Sequence, residues 1–189
     1  MKNVLIGALV AGVIVFVYQA MSWMVLPFHA NTLKYTPQQE AILAALTANL
    51  QEDGVYAIPN LPPGSTQEQY SEFDKSMIGK PSAVVHFDTR YEGMMASQFV
   101  WGFVIDFVAA LILGYVMWTA RGAFAGFGAK VLLALGFGLF TVMQSSLMMA
   151  NWWQTPWHYL SGEIIDHLLG WLLAGVWLAW WVGRSRTSS

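Results

Sequence analysis

The sequence predicts an all-α membrane protein: a four-helix transmembrane bundle with a small α+β insertion between its first and second helices. Three observations lead there. Of 189 residues, 56% are hydrophobic and 11% charged, against about a quarter charged in a soluble domain. Four stretches have the length of about 20 apolar residues that a bilayer crossing needs: residues 4–26, 99–119, 131–150 and 164–182. The one long polar interval, residues 27–97, carries regularly spaced turn signals.

The first stretch follows Lys2, as a signal peptide would. Cleavage, however, needs small residues at its −3 and −1 positions, and Tyr18-Gln19-Ala20 and Phe28-His29-Ala30 do not supply both. Residues 1–26 are therefore expected to stay as an anchor helix.

Residues 27–97 read as a periplasmic insertion. Asp53-Gly54, Pro62-Pro63-Gly64 and Gly79-Lys80-Pro81 divide it. Thr36-Pro37 is a helix start, followed by Ile42, Leu43, Leu46 and Leu50 on one helical face. A more polar helix is expected from Thr66 to Met77, and residues 55–58 and 83–87 read as short strands. A domain of about 70 residues is marginal for its own core, so it is expected to pack on the outer helix ends. Met94, Met95 and Phe99 indicate that the second membrane helix begins at headgroup level.

Residues 98–183 hold the remaining three membrane helices and residues 184–189 a cytoplasmic tail. Orientation follows the basic residues at helix ends. With both termini in the cytoplasm, Lys2, Arg121, Lys130, Arg184 and Arg186 lie inside, against Lys34, Lys75, Lys80 and Arg90 on a long translocated loop whose charges count for little. The aromatic belts agree: Trp118, Trp180 and Trp181 fall near the inner boundary, Trp23, Trp101, Trp152, Trp153 and Trp157 near the outer one. Thr155-Pro156 opens a last helix start at the outer boundary.

Net charge of −2 offers no basic footprint for a phosphate backbone, so no nucleic acid is expected as a partner. Without cysteine there is no disulfide, thiolate metal site, thiol nucleophile or covalently attached c-type haem. Phosphate-loop, HExxH and GxSxG patterns are absent from the sequence. No catalytic residue and no cofactor are therefore assigned.

The candidate site is a layer of polar residues inside the membrane helices. At 1.5 Å per residue, Gln19 lies about 10 Å below the outer end of the first helix and Asp106 about 12 Å below the start of the second. Gln144 and Ser145 on the third helix, and Asp166 and His167 on the fourth, fall near the same depth. Stripes of small residues point these groups inward: Gly102, Asp106, Ala110 and Gly114; Ala134, Gly138, Thr141 and Ser145; Glu163, His167, Gly170 and Ala174.

Two readings of this layer stand. Asp106, as a neutral carboxyl, bonds Gln144, Ser145 or Gln19 and locks the bundle; or Asp106 and Asp166 line a water-accessible pocket for a proton, a cation or a small polar ligand. Glu163 and His167, at i and i+4, are candidate metal ligands. His29 and His167 form the one pair that suits haem b.

The segments Met21-Ser22-Trp23-Met24-Val25-Leu26-Pro27-Phe28-His29, Gly54-Val55-Tyr56-Ala57-Ile58-Pro59, Asn151-Trp152-Trp153 and Gly170-Trp171-Leu172-Leu173-Ala174-Gly175 resemble an uncharacterised family of bacterial inner-membrane proteins with four transmembrane helices. The resemblance spans most of the chain and implies a bacterial cytoplasmic membrane and a periplasmic loop. That family has no known activity, so no functional residue is carried over. The expected function is that of a non-catalytic structural or accessory subunit of a membrane assembly, with the lipid bilayer and a membrane protein or a second copy as partners. The alternatives are a small transporter or channel, and a metal- or haem-binding membrane protein.

Overall fold

The computed structural model of the chain describes residues 2–184. Arg186 and the rest of the 185–189 tail lie outside the described residues. Among the described residues, four helices are long and apolar enough to cross a membrane, judged by length and composition: Lys2–Met24, Ala96–Thr119, Phe127–Trp153 and Trp157–Arg184. All four begin before the apolar stretches suggested, and the last two also end after them. The fourth starts at Trp157 rather than Ile164, because Ser161 and Glu163 break the apolar run without breaking the helix.

The chain divides into two compact units, one formed by residues up to Lys34 together with those from Met94 on, the other by Tyr35–Gly93. In the first unit α1 (Lys2–Met24) packs against α4 (Ala96–Thr119) and α7 (Trp157–Arg184), and α7 packs against α5 (Phe127–Thr141). The core is built from small and aliphatic side chains: Ala8, Ala11 and Val15 of α1, Ala110, Leu113 and Met117 of α4, Ala134 of α5, and Ala174 and Leu178 of α7. Small residues let the helix backbones approach closely. At Gly12 an added Cβ would stand 2.8 Å from Phe107 Cα, so α1 and α4 touch there backbone to backbone.

The indole N–H groups of Trp177 and Trp181 donate to the carbonyls of Gly7 and Asn3, at 2.9 and 2.6 Å, and fasten α7 to the start of α1. Trp181, expected from the sequence as a belt residue, is thus a clamp between helices. Lys130 is buried, its ammonium capping the carbonyls of Ala125 and Gly126 at 3.0 and 3.4 Å.

The third span is not a continuous α-helix. Residues Val142–Ser146 form one turn of π-helix between α5 and α6 (Leu147–Trp153). A π turn inserts an extra residue into the helical repeat. The inward stripe therefore runs Ala134, Gly138, Val142, Ser146, and Ser145 is turned outward. This corrects the expected stripe through Thr141 and Ser145, which assumed a constant α-helical period.

In the second unit α2 (Gln39–Asn49) and α3 (Gln67–Met77) alternate with β1 (Gly54–Ile58) and β2 (Ala83–Phe87). The strands pair antiparallel, with Gly54 opposite Phe87 and Ile58 opposite Ala83. Helix α3 opens on a capping box: Thr66 Oγ1 accepts the Gln69 N–H, and Gln69 Oε1 accepts the Thr66 N–H at 2.7 Å. Asp53 accepts both the N–H and the O–H of Thr89 at 2.7 Å, closing the open end of the hairpin. Those bonds hold the Asp53 carboxyl below its ordinary value.

The helical face of Ile42, Leu43 and Leu46 does not become a core. No residue of α2 or α3 is buried, Ile42 and Leu43 are exposed, and Phe87 is the buried hydrophobic residue of this unit. A two-stranded ribbon is too narrow to cover two helices.

Candidate functional site

The α1 stripe of Val4, Ala8, Ala11 and Val15 continues in steps of three and four to Tyr18 and Ser22, so these polar residues face the same side as the core. Beyond α1, Pro27–His29 forms a 3-10 turn that opens with proline, whose fixed φ suits a first turn. The turn brings His29 back beside Ser22. On α7 the corresponding position is Asp166, one full repeat before Gly170 and Ala174, all three buried.

These groups meet at the Asp166 carboxylate. Its Oδ1 accepts hydrogen bonds from Tyr18 OH at 3.0 Å and from Ser22 Oγ. Its Oδ2 lies 2.9 Å from His29 Nε2. The other ring nitrogen, Nδ1, is 3.3 Å from Thr32 Oγ1. Ser22, His29, Thr32 and Asp166 are all buried. The Trp23 indole covers the imidazole, stacked at 3.8 Å between centroids and 12° between planes.

Gly162 makes this geometry possible. A Cβ there would lie 2.6 Å from His29 Cε1, 2.7 Å from Nδ1 and 3.0 Å from the carbonyl oxygen of Phe28. Only a residue without a side chain lets the ring pass α7 to reach Asp166, one turn further on.

Every donor and acceptor in the cluster has a partner. A carboxylate accepts through both oxygens, and here three donors use them. With Nε2–H donated to Asp166, Nδ1 of a neutral imidazole accepts the Thr32 hydroxyl proton; in an imidazolium, Nδ1–H donates to Thr32 Oγ1 instead. The hydroxyl both donates and accepts, so either charge state of His29 is satisfied.

A hydroxyl, an imidazole and a carboxylate in line have the order of a nucleophile relay. Thr32, however, is 4% exposed, and Ser22 bonds the carboxylate rather than the imidazole. Neither hydroxyl is presented to a substrate. The arrangement can hold α1, the Pro27–Thr32 turn and α7 together. A bond to a charged acceptor contributes about 1.5–3 kcal/mol net.

The other expected positions separate. Asp106 is buried on α4, with the Gln19 side chain as its hydrogen-bonding neighbour and its Oδ2 without a partner. Gln19 is exposed. Gln144 and Ser145 are also exposed and line an open groove of about 660 Å³ with Met148, Met149, Trp152 and Trp153. They do not bond Asp106.

Glu163 and His167 are half-buried and sit to the side of the α7 stripe, which runs Gly162, Asp166, Gly170, Ala174. A step of three or of four back from Gly170 is equally helical, and the donors on α1 favour the step that lands on Asp166. Among the described residues no group of three His, Cys, Asp or Glu could hold a metal ion. His29 has both ring nitrogens engaged, so pairing it with His167 about a haem would require breaking its bond to Asp166.

Sequence reasoning passed over Tyr18, Ser22 and Thr32, and weighed His29 as one of a pair for haem b, not as the partner of Asp166. The signal for Tyr18 and Ser22 was present in the chain, as the continuation of the Ala8, Ala11, Val15 stripe. No protein-family model, curated protein or solved structure matches the chain.

Proposed function

We propose that the chain is a multi-pass protein of a bacterial cytoplasmic membrane, acting as a non-catalytic structural or accessory subunit of a membrane assembly. The observation that carries this reading is the saturation of Asp166. Its oxygens are occupied by Tyr18, Ser22 and His29, and His29 is held in turn by Thr32 and Trp23. The most elaborate polar cluster of the helices is thus spent on fastening one helix to another. A site for turnover or transport keeps a polar group open to its substrate.

The Tyr35–Gly93 unit supports the subunit part of the reading. Ile42, Leu43, Val55, Ile58 and Val84 are exposed there, and apolar surface left over in a small unit is material for a partner. In this reading both termini are cytoplasmic, by the basic residues Lys2, Arg121, Lys130 and Arg184, and the Tyr35–Gly93 unit is periplasmic.

The test is purification of the full chain in lipid nanodiscs after cross-linking in cells, beside Val55→Ser/Val84→Ser. The expected result is one protein, or a second copy, captured in fixed ratio with the wild type and lost from the variant at unchanged thermal stability. A lone chain that conducts ions in liposomes, and ceases to when Asp166 is replaced by Asn, would overturn the proposal.

A further inference from the structure

Two aspartates lie inside the apolar helices, Asp106 on α4 and Asp166 on α7, and their surroundings are opposite. Asp166 has three donors on its two oxygens. Asp106, 7% exposed, has an Oδ2 that reaches neither solvent nor any donor. An ionised oxygen in that position has lost its water and received nothing in exchange, which costs far more than leaving a neutral oxygen unpaired.

Among the described residues no positive charge forms an ion pair with Asp106. Asp106 is the one charged residue of α4, and α1, which packs along it, carries none after Lys2 at its far end. Helix α7 presents Asp166, already paired with His29, and beyond it Glu163 and His167. The cation of α5, Lys130, caps carbonyls in the turn that joins α4 to α5. Gln19 offers a neutral amide, which carries no charge to offset an ionised carboxyl.

We infer that Asp106 is a proton-binding site: at neutral pH its Oδ2 carries a proton. The ligand is a single proton held on the α1–α4 contact, with the exposed Gln19 amide as the polar group between Asp106 and the surface. Proton binding at Asp106 does not depend on a partner protein and stands apart from the accessory role.

Infrared spectroscopy of the full chain in lipid nanodiscs at pH 7 tests it, since the carbonyl stretch of a protonated carboxyl is separate from the bands of a carboxylate. The expected result is one protonated-carboxyl band that disappears in Asp106→Asn and persists in Asp166→Asn. Because a variant could fail to fold, the wild type with ¹³C-labelled aspartate decides independently: one of the five aspartates should contribute an isotope-shifted acid band. No such band overturns the inference, and a band that survives in Asp106→Asn overturns its assignment to Asp106. A band that appears only when sodium is replaced by choline would make the occupant a cation instead, and would overturn it as well.

Discussion

Replacing Gly162 by Ala places one methyl group where the His29 ring now passes. The new Cβ would stand 2.6 Å from Cε1, against the 3.4 Å of ordinary contact, so the ring or the helix must give by about 0.8 Å. The ring has little room, being stacked on Trp23 at 3.8 Å and bonded to Asp166 at 2.9 Å. A displacement of that size takes the Nε2 to Oδ2 distance beyond hydrogen-bond range.

The loss is a charge-assisted bond of about 1.5–3 kcal/mol, offset by about 0.8–1.0 kcal/mol because Ala is a better helix former than Gly. The net expectation is destabilisation of about 0.5–2 kcal/mol, read as a lowered midpoint of thermal unfolding in detergent. The same substitution in a His29→Ala background no longer meets the ring and still meets the Phe28 carbonyl, at 3.0 Å. There it should be close to neutral, the helix-propensity gain opposing a small adjustment. An equal cost in both backgrounds would refute the reasoning, since the cost would then not come from His29.

Three further outcomes follow from particular contacts. Ser146→Ala removes a buried hydroxyl that has no partner, so unfolding should shift by no more than about 0.5 kcal/mol or move towards greater stability; a large loss would reveal a bond the hydroxyl makes. Thr66→Ala removes the cap of α3 and should cost about 1 kcal/mol locally, seen as faster hydrogen exchange in the first turn of that helix. Because Thr89 holds the native Asp53 carboxyl below its ordinary value of 3.8, the contribution of Asp53 is complete above the unfolded carboxyl's range and is lost as the pH falls through the native value. The Thr89 amide resonance should therefore shift at acid pH, and in Asp53→Asn it should not.

The long helices were legible because an uninterrupted run of about 20 apolar residues matches the thickness of a bilayer and exceeds what a small soluble core can bury. The two strands and α3 were legible from the turn residues that bound them. What failed was phase. Period counting on the third span gave Ser145 as the inward hydroxyl, but a π turn at Val142–Ser146 substitutes Ser146. On α7 the choice between Asp166 and His167 was undetermined by spacing, as both lie within one turn of Gly170. It was settled by Tyr18, Ser22 and His29, which sit more than a hundred residues away in the chain.

The size of the Tyr35–Gly93 unit already marked its own core as marginal, but the fate of the α2 apolar face was illegible. Helical periodicity marks an apolar face, but it does not say whether anything covers that face.

Asp166 acts as a joint between α1, the Pro27–Thr32 turn and α7. The most direct test of that role is the coupling free energy between His29 and Asp166, from thermal or denaturant unfolding of the wild type, His29→Ala, Asp166→Ala and the double variant in one detergent. A favourable coupling of about 1.5–3 kcal/mol is predicted, the range for a hydrogen bond to a charged group. Additive effects of the two substitutions would contradict it, because the imidazole and the carboxylate would then not be holding each other.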